Sequence, residues 1–173
     1  MGPKRLDSAS AWDERIDRVW QLYRSGALAE DTLIPAIDAL AAERHAGDAP
    51  ALFERASARD SVGLEAEAEA LYRQALSLGL DHARRARATI QFASTLRLLG
   101  RLDESEALLR AELDGGGKAL RDEVRAFLAL TLAANGKAHE AAGHALAALA
   151  PHLSRYNRSA ANYAAELLSG RKD

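Results

Sequence analysis

The stretch Gly63-Leu64-Glu65-Ala66-Glu67-Ala68-Glu69-Ala70-Leu71-Tyr72-Arg73-Gln74-Ala75-Leu76 decides the fold. After its glycine it holds neither proline nor a β-branched residue, and Ala, Leu and Glu dominate, all strong helix formers. Leu64, Ala68, Leu71, Tyr72, Ala75 and Leu76 recur at helical spacing. The stretch therefore reads as a glycine turn leading into an amphipathic helix. The same device recurs along the chain. Glycines stand at Gly26, Gly63, Gly100 and Gly136, in steps of 37, 37 and 36, and Gly170 follows 34 later. Four residues after each of the first four comes a glutamate: Glu30, Glu67, Glu104 and Glu140. Seven before each glycine stand Val19, Ala56, Ala93, Ala129 and Tyr163, and thirteen after the first four stand Ala39, Leu76, Leu113 and Leu149. Several columns in register at this period mark an internal repeat.

Both flanks of each glycine predict helices. Trp12, Ile16, Val19, Trp20 and Tyr23 form an apolar stripe before Gly26, and Leu33, Ile34, Ile37, Leu40 and Ala41 form another after it. Further on, Ile90, Phe92, Ala93 and Leu96 precede Gly100, and Phe127, Leu128, Leu130 and Leu132 precede Gly136. Each glycine marks a tight turn, where a left-handed backbone is cheap for Gly alone. Asp48-Ala49-Pro50, Gly115-Gly116-Gly117 and Pro151 break the chain between pairs. The count is nine helices: pairs over 9–46, 50–79, 82–114 and 118–150, then one helix over 153–169. Together they make an all-α domain over 9–170, behind a disordered 1–8.

Paired helices of this length, with small residues at the crossing and a glycine in the turn, resemble tetratricopeptide repeats. The likeness is fullest over 50–150, where 63–76 matches the second half of the repeat closely. Ser105 replaces a usual Ala, and Ala145 stands where an aromatic is common. Val19, Asp31 and Pro35 depart from the pattern in the first pair. The resemblance implies a right-handed α-α superhelix whose last helix, carrying Tyr156, Tyr163 and Leu167, caps the final pair. It also implies a non-catalytic scaffold that binds a partner protein or peptide in a concave groove lined by the first helix of each pair. Matched by register, that groove holds Phe53, Ser57 and Asp60, then Arg87, Ile90, Gln91, Ser94 and Arg97, then Glu123, Phe127 and Leu130. The Lys/Arg and Asn clamp with which some relatives hold a C-terminal carboxylate has no counterpart at these positions.

Composition agrees with helices and narrows function. The chain has 173 residues, enough for a substantial core; 39 of them are Ala, and none is Cys. Without cysteine there are no disulfides, thiolate metal sites or cysteine nucleophiles. A formal charge of −2 lacks the basic excess of a nucleic-acid binder. No stretch has the roughly 18 to 20 apolar residues of a membrane span. The first residues carry no apolar run after Lys4-Arg5, so a cytoplasmic protein is expected. The 19 Arg against 4 Lys, with so much Ala, match the codon bias of a GC-rich bacterial genome. Residues 1–81 carry a net −6 and residues 82–173 a net +4, a polarity that suits solvated helix faces or self-association.

Motifs of chemistry dissolve on inspection. His139 and His144 lie five apart, about 140° around a helix at roughly 100° per residue, so they cannot share a metal. Asp114-Gly115-Gly116-Gly117-Lys118-Ala119 has Ala where a phosphate loop needs Ser or Thr, and follows a helix, so a flexible linker is expected. No metal, cofactor or catalytic residue is expected. Two alternatives stand beside the scaffold: a homodimerisation module using Trp12, Trp20 and Tyr23, and a small-molecule binder or enzyme.

Overall fold

The computed structural model describes residues 8–115 and 119–170. The expected disorder of 1–8 lies outside them, apart from Ser8, which opens the first helix. Gly116, Gly117 and Lys118 of the expected linker also lie outside. Among the described residues the secondary structure is helical throughout: α1 (Ser8–Arg24), α2 (Glu30–Ala41), α3 (Ala49–Asp60), α4 (Glu65–Leu78), α5 (His82–Leu98), α6 (Leu102–Asp114), α7 (Arg121–Ala134), α8 (Ala138–Leu149), a 3-10 turn (Ala150–His152) and α9 (Asn157–Ser169). Among these residues no helix is long and apolar enough to cross a membrane.

The glycine turns are four copies of one motif. Gly26, Gly63, Gly100 and Gly136 have φ between +73° and +77°. In each, the glycine N–H donates to the carbonyl three residues back, and the next N–H reaches the carbonyl five back: Gly63 to Asp60 and Leu64 to Arg59, or Gly136 to Ala133 and Lys137 to Leu132. These two bonds satisfy carbonyls the helix end leaves open. A Cβ on Gly63 would meet no atom within 4 Å, so only the backbone conformation demands glycine there. Gly63→Ala should therefore cost about 1 to 2 kcal/mol, read as a lowered denaturation midpoint with unchanged m-value.

Two helix starts are capped by aspartate side chains. Asp48 accepts from the Ala51 N–H at 3.0 Å, with Pro50 in the first turn of α3. Asp81 accepts from Ala83 and Arg84 at 3.0 and 2.9 Å and opens α5. Pro35 sits exposed within α2, which continues through it. The fourth pair starts later than expected, at Arg121, because Leu120 is left-handed (φ 52°). The last helix starts at Asn157, after Pro151 in the 3-10 turn and a left-handed Tyr156 (φ 63°).

The chain forms two compact units, residues 1–79 and 80–173. In the first, Trp12, Ile16, Leu33, Ile37, Ala41, Ala51 and Ala58 form a buried cluster joining α1, α2 and α3. The Trp12 indole donates to the Leu40 carbonyl at 2.8 Å, and the Arg44 guanidinium lies 5.3 Å from the Trp12 ring centroid. The Trp20 indole donates to the buried Glu54 carboxylate at 2.7 Å and the Tyr23 hydroxyl to the Ser61 carbonyl at 3.3 Å. The expected dimer surface is thereby corrected at Trp12. Trp12 is buried, whereas Trp20 and Tyr23 are half-buried, each bonded to a residue of its own unit.

In the second unit, α7 packs on both α5 and α6. Val124, Leu128 and Leu132 share one buried cluster with Ile90, Ala93 and Leu109. At the α5–α6 crossing the Ser105 hydroxyl donates to the Ala93 carbonyl at 2.7 Å and lies 3.0 Å from the Thr131 hydroxyl of α7. A serine in the small-residue column thus ties three helices together. The covering role expected of Tyr156, Tyr163 and Leu167 is corrected in part. Tyr156 and Tyr163 are 79% and 60% exposed, and α9 instead buries Ala164, with Leu167 half-buried. Gly143 makes this possible: a Cβ there would come within 2.9 Å of Leu168 and 3.1 Å of Leu167. The glycine lets α9 lie directly on α8.

Candidate functional site

The eleven expected groove residues divide by burial. Phe53 is fully buried, its ring 6.4 Å from that of Tyr72, and Ser57 and Ile90 are buried as well. These three are corrected: they fill the interior of their units and offer a partner no surface. Their register position is shared, but large side chains on neighbouring helices close over them. Asp60 is half-buried and accepts from the Tyr72 hydroxyl at 3.2 Å. Burial first, then the Asp60 charge, raises the Tyr72 pKa, so the phenol stays a donor. On α5, Arg87 is exposed, while Gln91, Ser94 and Arg97 are half-buried. The Arg97 Nε is buried without a hydrogen-bond partner among the described residues. On α7, Phe127 packs half-buried against the core, whereas Glu123 and Leu130 face outward.

Glu123 and Leu130 share a feature that sequence alone did not bring forward. They line an open groove of about 700 Å³ between α7 and α8, with Asp122, Ala126, Ala129, Ala133, Ala141, Ala142, Ala145, Ala148, Leu149 and His152. The floor is alanine, and the walls are Leu130 and Leu149, about half exposed at 52% and 51%. One mouth is acidic. Glu123 is exposed there, and Asp122 is engaged by His152 at 3.2 Å and by Arg125 at 3.4 Å.

Other titratable groups have structural partners. Glu106 is buried and accepts from Lys137 at 2.8 and 2.9 Å, from Arg110 at 3.0 Å and from Asn135 at 3.3 Å. Burial opposes its ionisation, but the Lys137 and Arg110 bonds outweigh that and hold its pKa below the ordinary range. Asp38 behaves alike: burial raises, while Arg59 and Arg55 lower more strongly. His144 has its Nδ1 buried with no partner among the described residues. Burial, then the Arg110 charge, depresses its pKa against the opposing pull of Glu140. The folded state thus resists protonating His144. Its contribution is complete above the unfolded pKa of about 6.5 and is lost as pH falls below that value. The Asp38 and Glu106 contributions are lost only at lower pH, as it falls through their depressed pKa values. Melting curves should show the chain losing stability as pH falls below about 6.5, with His144→Gln losing less. Parallel curves for the two proteins would show that His144 does not titrate against folding. Among the described residues no group of three or more His, Asp or Glu side chains converges to hold a metal.

A family model described as tetratrico peptide repeat matches residues 49–167. The chain belongs to the tetratricopeptide repeat family. No curated protein and no solved structure matches it. The matched span runs from the first residue of α3 to the last turn of α9, and so includes the α7–α8 groove. In a tetratricopeptide repeat array each pair is a supersecondary unit that hides its apolar face against the next. That rule makes the groove informative, because it is the face of the fourth pair left unhidden. A signal for it exists in the sequence: with Gly100 and Gly136 aligned, Ala126 and Ala145 stand where Ile90 and Leu109 stand one repeat earlier. Alanine at large-residue positions predicts a depression.

Proposed function

We propose that the chain is a non-catalytic protein-interaction scaffold whose second unit, 80–173, holds a partner segment. The observation that carries this reading is the open alanine-floored groove between α7 and α8, walled by two half-exposed leucines. Contiguous exposed apolar surface with a polar rim marks interaction sites in proteins. Tetratricopeptide repeats generally mediate protein–protein contacts, which supports the same class of function. In this reading Leu130 and Leu149 are the apolar anchors. Glu123 sets orientation, and Arg87, Gln91, Ser94, Arg97 and Phe127 supply flanking contacts on the first-helix side.

Site-specific photo-crosslinking tests it. A photoreactive residue placed at Leu130 in native cells should give one defined adduct with another protein. The same group at Leu78, an equally exposed leucine in the first unit, should not give it. No adduct at Leu130, or the same adducts from both positions, would contradict the reading.

A further inference from the structure

The second unit contains one kind of groove twice, filled between α5 and α6 and open between α7 and α8. With Gly100 and Gly136 aligned, the open groove lined by Ala126, Ala129, Ala141, Ala145 and Leu149 corresponds to Ile90, Ala93, Ser105, Leu109 and Leu113 of α5 and α6. That earlier surface is covered by α7, through Val124, Leu128 and Leu132. The direction of the covering helix is fixed by its polar contacts. Arg121 at the start of α7 donates to the Leu113 carbonyl at 3.1 Å, Thr131 meets Ser105, and Lys137 just beyond the end of α7 reaches Glu106. The covering helix therefore runs antiparallel to α6.

The next helix in the chain does not repeat this. Aligning Gly136 with Gly170 puts Arg158, Asn162 and Glu166 where Val124, Leu128 and Leu132 stand. Three polar residues cannot fill an apolar groove without leaving groups unsolvated. Accordingly α9 packs elsewhere, through Ala164 over Gly143. The vacant groove also differs in chemistry from the filled one. Ser105 and Glu106, which make polar bonds to α7 and the segment after it, are replaced by Ala141 and Ala142. Ile90 and Leu109 are replaced by Ala126 and Ala145, which deepens the floor. By the same register Arg87 of α5 corresponds to Glu123 of α7.

Resting on the scaffold reading, we infer that the α7–α8 groove receives one amphipathic α-helix of a partner protein. It runs antiparallel to α8, with apolar side chains at i, i+4 and i+8, at least one of them larger than leucine. Its first turn lies at the Asp122–Glu123 mouth and carries basic, not acidic, residues. Two effects select that polarity: the positive end of a helix dipole favours the carboxylates, and Glu123 stands where the register has Arg87 one repeat earlier. Apolar anchors at this spacing are the general mode of helix-in-groove recognition.

The probe is a labelled synthetic peptide of residues 121–135 of this chain, the helix that covers the filled groove, carrying Asp122→Gln, Glu123→Lys and Leu128→Phe. Fluorescence anisotropy against the full chain should show saturable binding, tighter than for the same peptide with Leu128 kept. Ala145→Arg in the chain should weaken it at least about tenfold, as should Leu149→Asp. Both sites are exposed, and circular dichroism checks that the fold is kept. Ala126→Ile with Ala145→Leu should reverse the preference in favour of Leu128, because it restores the floor of the filled groove. Glu123→Lys in the chain should weaken the Lys-bearing peptide and strengthen one with the natural Asp122 and Glu123. Absence of saturable binding, or binding indifferent to both Ala145→Arg and Leu149→Asp, would overturn the inference. So would a concentration-dependent dimer in light scattering that Ala145→Arg dissolves, since the occupant would then be a second copy. A peptide that fails while the Leu130 crosslink succeeds removes the helix and leaves the scaffold; failure of both removes the scaffold reading.

Discussion

Phe53→Ala should destabilise the protein by about 3 to 5 kcal/mol, the largest effect of any single substitution considered. The ring is fully buried, and removing it strips the packing partner of Tyr72, itself buried. Tyr72 is poorly placed to collapse into the space, because its hydroxyl is held at Asp60. The cavity would thus persist, and residual cavity is what sets the upper part of that range. Urea titration followed by circular dichroism reads the loss directly. A change below about 0.5 kcal/mol, the scale of an exposed substitution, would return Phe53 to the surface and restore it as a binding residue.

Ala93→Leu should cost about 1 to 3 kcal/mol from overpacking, with a further contribution of about 1 kcal/mol from a weakened hydrogen bond. Ala93 has no exposed surface, and its carbonyl is held by Ser105, which also reaches Thr131. A larger side chain must push α6 from α5, and that movement lengthens the Ser105 bond. Ser105→Ala on the Ala93→Leu background separates the two parts. If the accounting is right, the serine substitution costs less there than in the native chain. Additive costs would mean that the helices do not move apart.

Much of the architecture was legible because it is written in local chemistry. The glycine steps located the turns, since a left-handed residue at a Schellman-type helix end tolerates little else. Ala56, Ala93 and Ala129 in one column predicted close packing, and all three are buried. The last helix was misread for a physical reason. Tyr156 and Tyr163 looked like a covering stripe by size and spacing, but packing on α8 is decided by the space above Gly143, which favours the Ala164 side of α9. The groove residues were misread in a related way. Register identified a helix face, and burial depends on what the neighbouring helix sends toward it. Phe53 packs against Tyr72, whereas Leu130 is open because α9 packs over Gly143 and leaves the α7–α8 groove uncovered. Register alone makes Glu123 a candidate, but its setting at the mouth of an apolar groove depends on how α7 and α8 pack.

The inferred role of the α7–α8 groove is to dock a helix of a partner protein. Methyl NMR of leucine-labelled full-length chain, titrated with the peptide of residues 121–135 bearing Asp122→Gln, Glu123→Lys and Leu128→Phe, tests it most directly. Saturable shifts are expected at the Leu130 and Leu149 methyls and those nearest them, with Leu22 and Leu78 in the first unit unmoved. Shifts at Leu22 or Leu78 with Leu130 and Leu149 unchanged would contradict it.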